Sequence, residues 1–295
     1  VITVAIPTYN RGRIVVETIE RLLALTPPPD AILIADQTRE HPRDVAARLE
    51  RWNDEGVIRW MRFDEPSIPH AMNEALFAAT TPLVLFLDDD VEPSPELVAA
   101  HVAAHERDEV AAVVGQILQP GESPDSTTPP SDPLEFHFNH DRGAFTSNVM
   151  AGNLSVKRDR AIAIGAFDEN YVGAAYRFET DFALRLTAAG GKIWFEPRAS
   201  LRHLKLASGG LRSYGDHKTT ASPAHTVGDY YFAIHHRPPL WRYAMRRLAK
   251  NVVTRYHATH PWTIPTKLIG ELRGIALARK LARGGRKLMC HPERA

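Results

Sequence analysis

Over its first half the chain switches repeatedly between two spacings of apolar residues, and this alternation restricts the fold more than any other feature. Short aliphatic runs, ITVAI (2–6), AILIA (31–35), VIRWMRF (57–63), PLVLFL (82–87) and VAAVVGQIL (110–118), alternate with stretches of helical period at Arg13–Leu25, Pro42–Asn53, Pro69–Ala79 and Ser94–Glu106. Strands separated by helices imply βαβ units and a mostly parallel sheet. Runs that are apolar on both faces belong in a sheet covered by helices on each side. The expected class is α/β, a Rossmann-like sheet flanked by helices. A chain of 295 residues can fill one large α/β domain, or one domain with a smaller attachment.

The punctuation of the chain supports that reading. LTPPPD (25–30) and VEPSPE (91–96) are Pro-marked boundaries, the second with Ser94 placed to cap a helix. QPGESPDSTTPPSDP (119–133) reads as a loop that divides the body. Beyond it, VMAGNLSVKRD (149–159) reads as a strand running into a helix. A further helix is expected over Tyr176–Ala189, ended by Gly190 and Gly191, then the strand KIWFE (192–196). Residues 205–226 carry little periodicity and several glycines, which predicts a mobile loop, and the remainder is helical.

Charge separates that last part from the rest. From Arg237 onward there are 14 Lys/Arg against 2 Asp/Glu, whereas the preceding residues hold 22 against 33. An acidic body thus carries a basic tail, which implies an anionic partner surface. The stretches WRYAMRRLAKNVVTRYH (241–257) and TKLIGELRGIALARKLARGGRKL (266–288) alternate apolar and basic positions with helical period. Two readings fit them: a basic amphipathic helix lying on anionic lipid, or a helix packed on the body or on a second subunit of a homo-oligomer. Nucleic acid fits poorly, because no binding motif is present and the body is acidic. The single Cys290 excludes an internal disulfide and a Cys-based zinc site. No run approaches the ~18 apolar residues of a membrane span, and the chain enters strand-like sequence at Val1 without a leader. The expected location is cytoplasmic, at the inner membrane face if the tail lies on lipid.

In open α/β sheets, ligands sit beyond the carboxyl ends of the strands. Three such ends carry polar groups here: IPTYN after the first strand, ADQTRE after the second, and LDDDVE after the fourth. They would floor one crevice with Thr8, Asp36 and Asp88–Asp90. Adjacent aspartates repel, and a divalent cation with a preference for hard oxygen ligands, Mg²⁺ or Mn²⁺, is the simplest compensation. The plainer reading of the triplet is a solvated turn that caps the next helix.

VAIPTYNR, an Asp after the second strand, FLDDDVEPSPE, AGNLSVKRD with IGAFDENY, and ETDFALRLTAAGGKIWFEPRASLRH occur in order from Val1 to about His203. Together they resemble the inverting family 2 glycosyltransferases of the GT-A fold. The resemblance implies a nucleotide-sugar-binding half over 1–118, an acceptor-binding half with mobile loops over 119–225, and a basic helical extension over 226–295. It places Pro7, Thr8, Tyr9, Arg11, Asp36 and Asn73 near the nucleotide. Aligned backwards from PSPE, Asp89 and Asp90 take the two main positions of the Asp-X-Asp-type motif. Asp90 is then the metal ligand, Asp89 the ribose or metal-water contact, and Asp88 a support. His203 becomes a further metal ligand. Gly152 and Asn153 match the loop behind the donor sugar, and Arg212 and Lys218 fall where a lid would meet the diphosphate.

In FETDF (178–182), Glu179 holds the catalytic-base position and Asp181 the later acid, a second candidate. Inversion requires such a carboxylate to accept the proton of the attacking hydroxyl. Three departures from the family pattern stand out: ADQTRE keeps one of two acids, no arginine precedes Asn73 (His70 is the available substitute), and Phe178 replaces an acid. The function implied is a metal-dependent transfer of a sugar from a nucleotide diphosphate, UDP or dTDP favoured, to a hydroxyl of a glycan or lipid-linked glycan. Two rivals stay open: a non-catalytic nucleotide- or glycan-binding module on the same scaffold, and a sugar nucleotidyltransferase. The latter lacks its Gly-rich, Arg-containing loop, since IPTYNRGR has a single glycine.

Overall fold

The aliphatic runs form the centre of the molecule, where both of their faces find cover. A computed structural model describes residues 1–129, 132, 134–206, 209–210, 214–237 and 239–289. In the first half β1 (Ile2–Thr8), α1 (Arg13–Leu23), β2 (Ala31–Asp36), α2 (Arg43–Asp54), β3 (Arg59–Arg62), α3 (Ile68–Ala78) and β4 (Leu83–Leu87) alternate as the periodicity predicts. Then follow β5 (Val91–Pro93), α4 (Leu97–Ala104), β6 (Val110–Leu118), β7 (Ala144–Thr146), β8 (Asn153–Lys157), α5 (Arg158–Ala163), α6 (Phe178–Ala188) and β9 (Lys192–His203). The C-terminal part is helical: α7 (Val227–His236), α8 (Leu240–Val252), α9 (Arg255–Thr259) and α10 (Ile264–Arg283).

One sheet runs in the order β3-β2-β1-β4-β8-β6-β9-β5, with β7 paired to β9. Strands β1 to β4 are parallel to one another, as is β6 to β9. Strands β5, β7 and β8 run antiparallel to their neighbours, so the parallel character belongs mainly to the first half. Every residue of β4 and β6 is buried. Phe167 stacks on Phe182 at 4.5 Å and meets Phe86 edge-on at 5.5 Å, which joins α6 to the sheet.

The structure shifts three local expectations. Residues 91–93 pair with β9, so α4 starts at Leu97; Ser94 donates its backbone N–H to Ser200 instead of capping a helix with its side chain. Arg177 has φ 74°, outside the helical region, so α6 begins at Phe178. The strand expected at 192–196 continues to His203, where β5 covers its far end.

Part of the basic tail is bound to the acidic body, and part is paired within itself. Asp229 pairs with Arg177 at 3.2 Å and with Arg247, and Glu271 pairs with Arg247 at 3.1 Å and Lys267 at 2.8 Å. On α10, Gly270 and Gly274 let the chain approach closely: a Cβ at either would fall 2.8 Å from the Thr220 carbonyl or 2.1 Å from the Thr226 hydroxyl. Past α10 the chain returns to the body. Lys287 donates its N–H to Asp168, Met289 donates to the Gly165 carbonyl, and Lys287 Nζ lies 2.8 Å from Glu169. Packing on the body thus accounts for these parts of the tail. Among the described residues no helix is long and apolar enough to cross a membrane.

Asp181, on α6, anchors this return. Its oxygens lie 2.7 Å from Arg185 Nε, 2.7 Å from His236 Nε2 and 2.5 Å from Arg286 Nη1. Burial alone would raise this carboxyl, but the His236 bond and the two guanidiniums prevail and hold it below the ordinary range. A depressed carboxylate stabilises the fold above its unfolded-state value and loses that contribution as pH falls. Arg286→Ala should therefore lower unfolding free energy at pH 7 by about 2 kcal/mol, measured by urea titration. The deficit should shrink only when pH is taken below 3.8, the ordinary Asp value. A midpoint equal to that of the parent protein would show that the return strand is not anchored there.

Candidate active site

The carboxyl ends of β1, β2 and β4 meet at one edge of the sheet. The parallel register sets Thr8 opposite Asp36. After β4 the chain turns through Asp88–Asp90 and enters β5, whose Val91 pairs with His203 of β9. That short ladder returns His203 to the acids. Its Nε2 lies 3.0 Å from Asp90 Oδ1 and 3.7 Å from Asp88 Oδ2, and its Nδ1 lies 3.1 Å from Gln119 Oε1.

The three aspartates divide between two sides of the turn that follows β4. Asp89 turns inward, accepting a bond from the Thr8 hydroxyl at 2.7 Å and lying 3.0 Å from Arg11 Nε. Its carbonyl accepts the Thr18 hydroxyl at 2.8 Å. Asp88 and Asp90 turn to His203, so the expected pairing of Asp89 with Asp90 is replaced by Asp88 with Asp90. Arg11 also reaches Asp90 at 3.4 Å. Burial pushes the Asp89 carboxyl up to about 7, against the pull of Arg11 and Thr8. Burial and the neighbouring Asp90 raise Asp88, with His203 opposing. Asp90, despite burial, is held below the ordinary range by His203 and Arg11.

Asp88, Asp90 and His203 offer ligand atoms that all lie within 4.8 Å of one another, a set that can hold a metal ion. Two features fit a cation here. Asp90 Oδ1 is buried without a well-formed hydrogen bond. A Cβ at residue 152 would sit 2.4 Å from Asp88 Oδ2, so only glycine leaves that carboxylate its place. Two carboxylates and one imidazole suit a divalent ion that retains open positions.

Glu179 lies in the first turn of α6, across the 151–152 turn from Asp88. Its Oε1 accepts the Ala151 N–H at 2.8 Å. Burial, with a smaller push from Asp88, raises its carboxyl to about 7 although the Ala151 N–H and Arg177 oppose this. Asp88, Ala151, Gly152 and Glu179 line one open cavity of about 1250 Å³ that extends to the C-terminal helices.

The structure assembles some of the sequence candidates and separates others. Pro7 and Tyr9 are half-buried at the end of β1, beside Arg11. The N–H of Gly210 donates to the Tyr9 carbonyl, so part of the 205–226 segment lies on this turn. Asp36 is fully buried, its oxygens taken by the Thr38 N–H (2.8 Å), Trp60 Nε1 (2.8 Å) and His41 Nε2 (2.6 Å). Asn73 does not face the crevice; its side chain both donates to and accepts from the Phe167 backbone and so ties α3 to the body. Asn153 is likewise internal, donating to the Gln116 and Ala199 carbonyls and meeting His101 Nε2 at 2.8 Å.

Asp181, the second base candidate, has its oxygens occupied by Arg185, His236 and Arg286. Lys218 sits over the Tyr256 ring at 5.3 Å, with the tail rather than with the acids. Arg212 lies outside the described residues. His70 is 3.1 Å from Glu169 and edge-on to Phe63. The residues that hold the site in shape, Thr18, His41 and Trp60, carried no sequence signal, because each acts from a different element and at no fixed spacing.

An open sheet with an acid–histidine cluster at its carboxyl edge, and a carboxylate facing that cluster across a cavity, defines the GT-A class of fold. Residues 3–180 match the family model Glycosyl transferase family 2, more than half of the chain, and the chain belongs to that family. Its sequence is similar to the O-antigen biosynthesis protein RfbC of Myxococcus xanthus, at 25% identity over 228 residues. That alignment covers 70% of this chain but only 17% of RfbC, so the chain spans about a sixth of that relative's length. In fold it is similar to the mannosyltransferase PcManGT from Pyrobaculum calidifontis in complex with GDP-Man and Mn²⁺ (TM-score 0.57, 19% identity, 96% of this chain and 79% of the other). It is also similar to S. aureus TarS 1–349 in complex with UDP-GlcNAc (TM-score 0.59, 12% identity, 93% and 81%).

Mn²⁺ titration followed by electron paramagnetic resonance tests the cluster. Asp90→Asn should weaken binding by more than the roughly 10–100-fold typical of outer-shell changes, while Asp36→Asn leaves it unchanged. Equal affinity in the Asp90 variant would remove the metal from this site.

Proposed function

We propose that the protein is a metal-dependent inverting glycosyltransferase that moves a sugar from a nucleotide diphosphate to a hydroxyl group of a glycan or lipid-linked glycan. The observation that carries this reading is the placement of Glu179 and the Asp88–Asp90–His203 cluster on either side of the 151–152 turn, in one cavity. The nucleotide would occupy the crevice at the ends of β1, β2 and β4, beside Tyr9. UDP or dTDP is the favoured donor nucleotide, on the resemblance of the strand-end motifs. The chain's own acceptor half, residues 119–225, contributes Glu179 and the 151–152 turn.

Asp88, Asp90 and His203 would hold a Mn²⁺ or Mg²⁺ ion, which would supply positive charge against that of the departing diphosphate. Glu179 accepts the acceptor hydroxyl proton while that oxygen bonds to the anomeric carbon from the face opposite the diphosphate. The bond from carbon to diphosphate oxygen breaks, its electron pair leaves with the diphosphate, and configuration inverts. A carboxyl held near neutrality is suited to this task, because it is a stronger base than an exposed one and is still substantially ionised.

Glu179→Gln should cut turnover by about 10²–10⁴-fold with nucleotide binding intact. The parent enzyme should lose rate as pH falls through an acid limb at or below about 7, since a bound cation lowers the Glu179 value, and the variant should lack that limb. Unchanged turnover in the variant would move the base elsewhere.

We further propose that the tail contacts an anionic membrane surface. Trp241 and Trp262 are 63% and 69% exposed, with Met245, Val253 and Leu272 also open, on the most basic part of the chain. Aromatic and aliphatic side chains among cations suit the lipid interface. In flotation assays the protein should bind vesicles containing phosphatidylserine and not pure phosphatidylcholine. The double change Trp241→Ala, Trp262→Ala should reduce that binding. Equal flotation of parent and variant would rule the surface out.

A further inference from the structure

We propose that the acceptor is anchored by phosphate groups, gripped at the cavity mouth by Arg242, Arg246 and Lys250 of α8. This rests on the transferase reading, since it assigns to the far end of the same cavity the task of holding what receives the sugar.

The cavity that begins at Asp88 and Glu179 is lined farther out by Arg237, Arg242, Arg246 and Lys250. Its intermediate wall is apolar and aromatic, with Leu134, Phe136, Met150 and Phe178 among its side chains. Arg242, Arg246 and Lys250 recur at every fourth residue and so share one stripe of α8. At 1.5 Å rise per residue the stripe is about 12 Å long, enough to meet two successive phosphates. Like charges one helical turn apart repel unless an anion lies between them.

Three other cations of the same wall have protein partners. Arg247 is paired with Asp229 and Glu271, Lys267 with Glu271, and Arg177 with Asp229. Among the described residues Arg242, Arg246 and Lys250 have no carboxylate within 4.0 Å, and Arg242 only lies over Trp241 at 5.4 Å. The acids Asp132 and Glu135 line the same cavity. They come from the segment before β7, not from α8, so they would repel a phosphate toward the cationic stripe. Guanidinium forks match phosphate oxygens in pairs, which favours phosphate over an isolated carboxylate.

This arrangement separates the two ends of the acceptor. Its hydroxyl would meet Glu179, the apolar wall would take the sugar faces, and the phosphate would stop at α8. The phosphate could belong to a lipid diphosphate or to a phosphate-bearing glycan.

The test uses the full chain in EDTA, which disables the metal-dependent nucleotide site, with three probes: farnesyl diphosphate, inorganic tripolyphosphate and farnesol. Calorimetry should show phosphate-dependent binding that weakens roughly tenfold or more in the triple variant Arg242→Gln, Arg246→Gln, Lys250→Gln. Arg242→Lys with Arg246→Lys should bind more tightly than the triple glutamine variant and more weakly than the parent, since charge is kept while the paired guanidinium bonds are lost, which separates loss of charge from loss of fold. Binding of farnesyl diphosphate alone would identify a lipid-linked acceptor. Binding of tripolyphosphate as well, at similar strength, would identify a phosphate-bearing glycan. Failure of both phosphate probes, equal binding by farnesol, or undiminished binding in the triple glutamine variant would overturn the proposal. Separate titration of UDP and dTDP with Mn²⁺ reads the transferase assignment: loss of nucleotide binding there, with phosphate binding intact in EDTA, would count against the catalytic reading and leave the α8 site standing.

Discussion

Three adjacent carboxylates at the end of a buried strand repel one another, and the surrounding elements are arranged against that repulsion. The turn after β4 sends Asp89 to one side and Asp88 and Asp90 to the other. Arg11 and the hydroxyl of Thr8 meet the first. The second pair depends on a three-residue strand, β5, whose pairing with β9 sets Val91 opposite His203. Without that ladder the imidazole would have no reason to lie over the acids. The mutual effect is visible in the ionisation of the group: His203 is raised by the carboxylates although burial lowers it, and Asp90 is lowered by His203 although burial raises it.

A second electrostatic layer holds α6. Asp181 and Glu179 are two residues apart in the first turn of α6, yet their surroundings divide them. Asp181 is enclosed by Arg185, His236 and Arg286 and stays ionised. Glu179 has a single backbone donor and the field of Asp88, and rises to about 7. One acid is thereby fixed as an anchor, and the other is left facing the cavity with a single backbone donor. Because Arg286 and Lys287 come from beyond α10, the C-terminal return of the chain takes part in orienting the helix that bears Glu179. The charge asymmetry between body and tail is in part a set of internal pairs, and Arg242, Arg246 and Lys250 on α8 are among the cations outside them.

The polar residues of the core divide in the same way. His101 and His105 lie within 2.8 Å of the Ser155 hydroxyl, and burial lowers them to about 4 and about 3, so both are neutral members of a hydrogen-bonded link between α4 and β8. Asn153 belongs to that link, as Asn73 belongs to another. Their amides match the backbone groups they meet, and a polar side chain so occupied has nothing left for a ligand.

The alternation of β-branched runs with helical spacing was sufficient to place β1 to β4 and the helices between them, because each of those elements follows from local period and burial on both faces. The acids of the crevice were legible for the same reason: strand ends in an open α/β sheet fall at one edge. The direction of β8, the continuation of β9 to His203 and the existence of β5 were not legible, since a strand's partners lie far along the chain, as β9 does from β5 and β4 does from β8. The same limit applied to the side chains. Sequence order made Asp36, Asn73, Asn153 and Asp181 candidates alongside Asp90 and Glu179. Only the tertiary structure decided the surroundings of each, because the partners that take up a side chain's hydrogen bonds, such as Trp60 for Asp36 and Arg286 for Asp181, come from other elements of the chain.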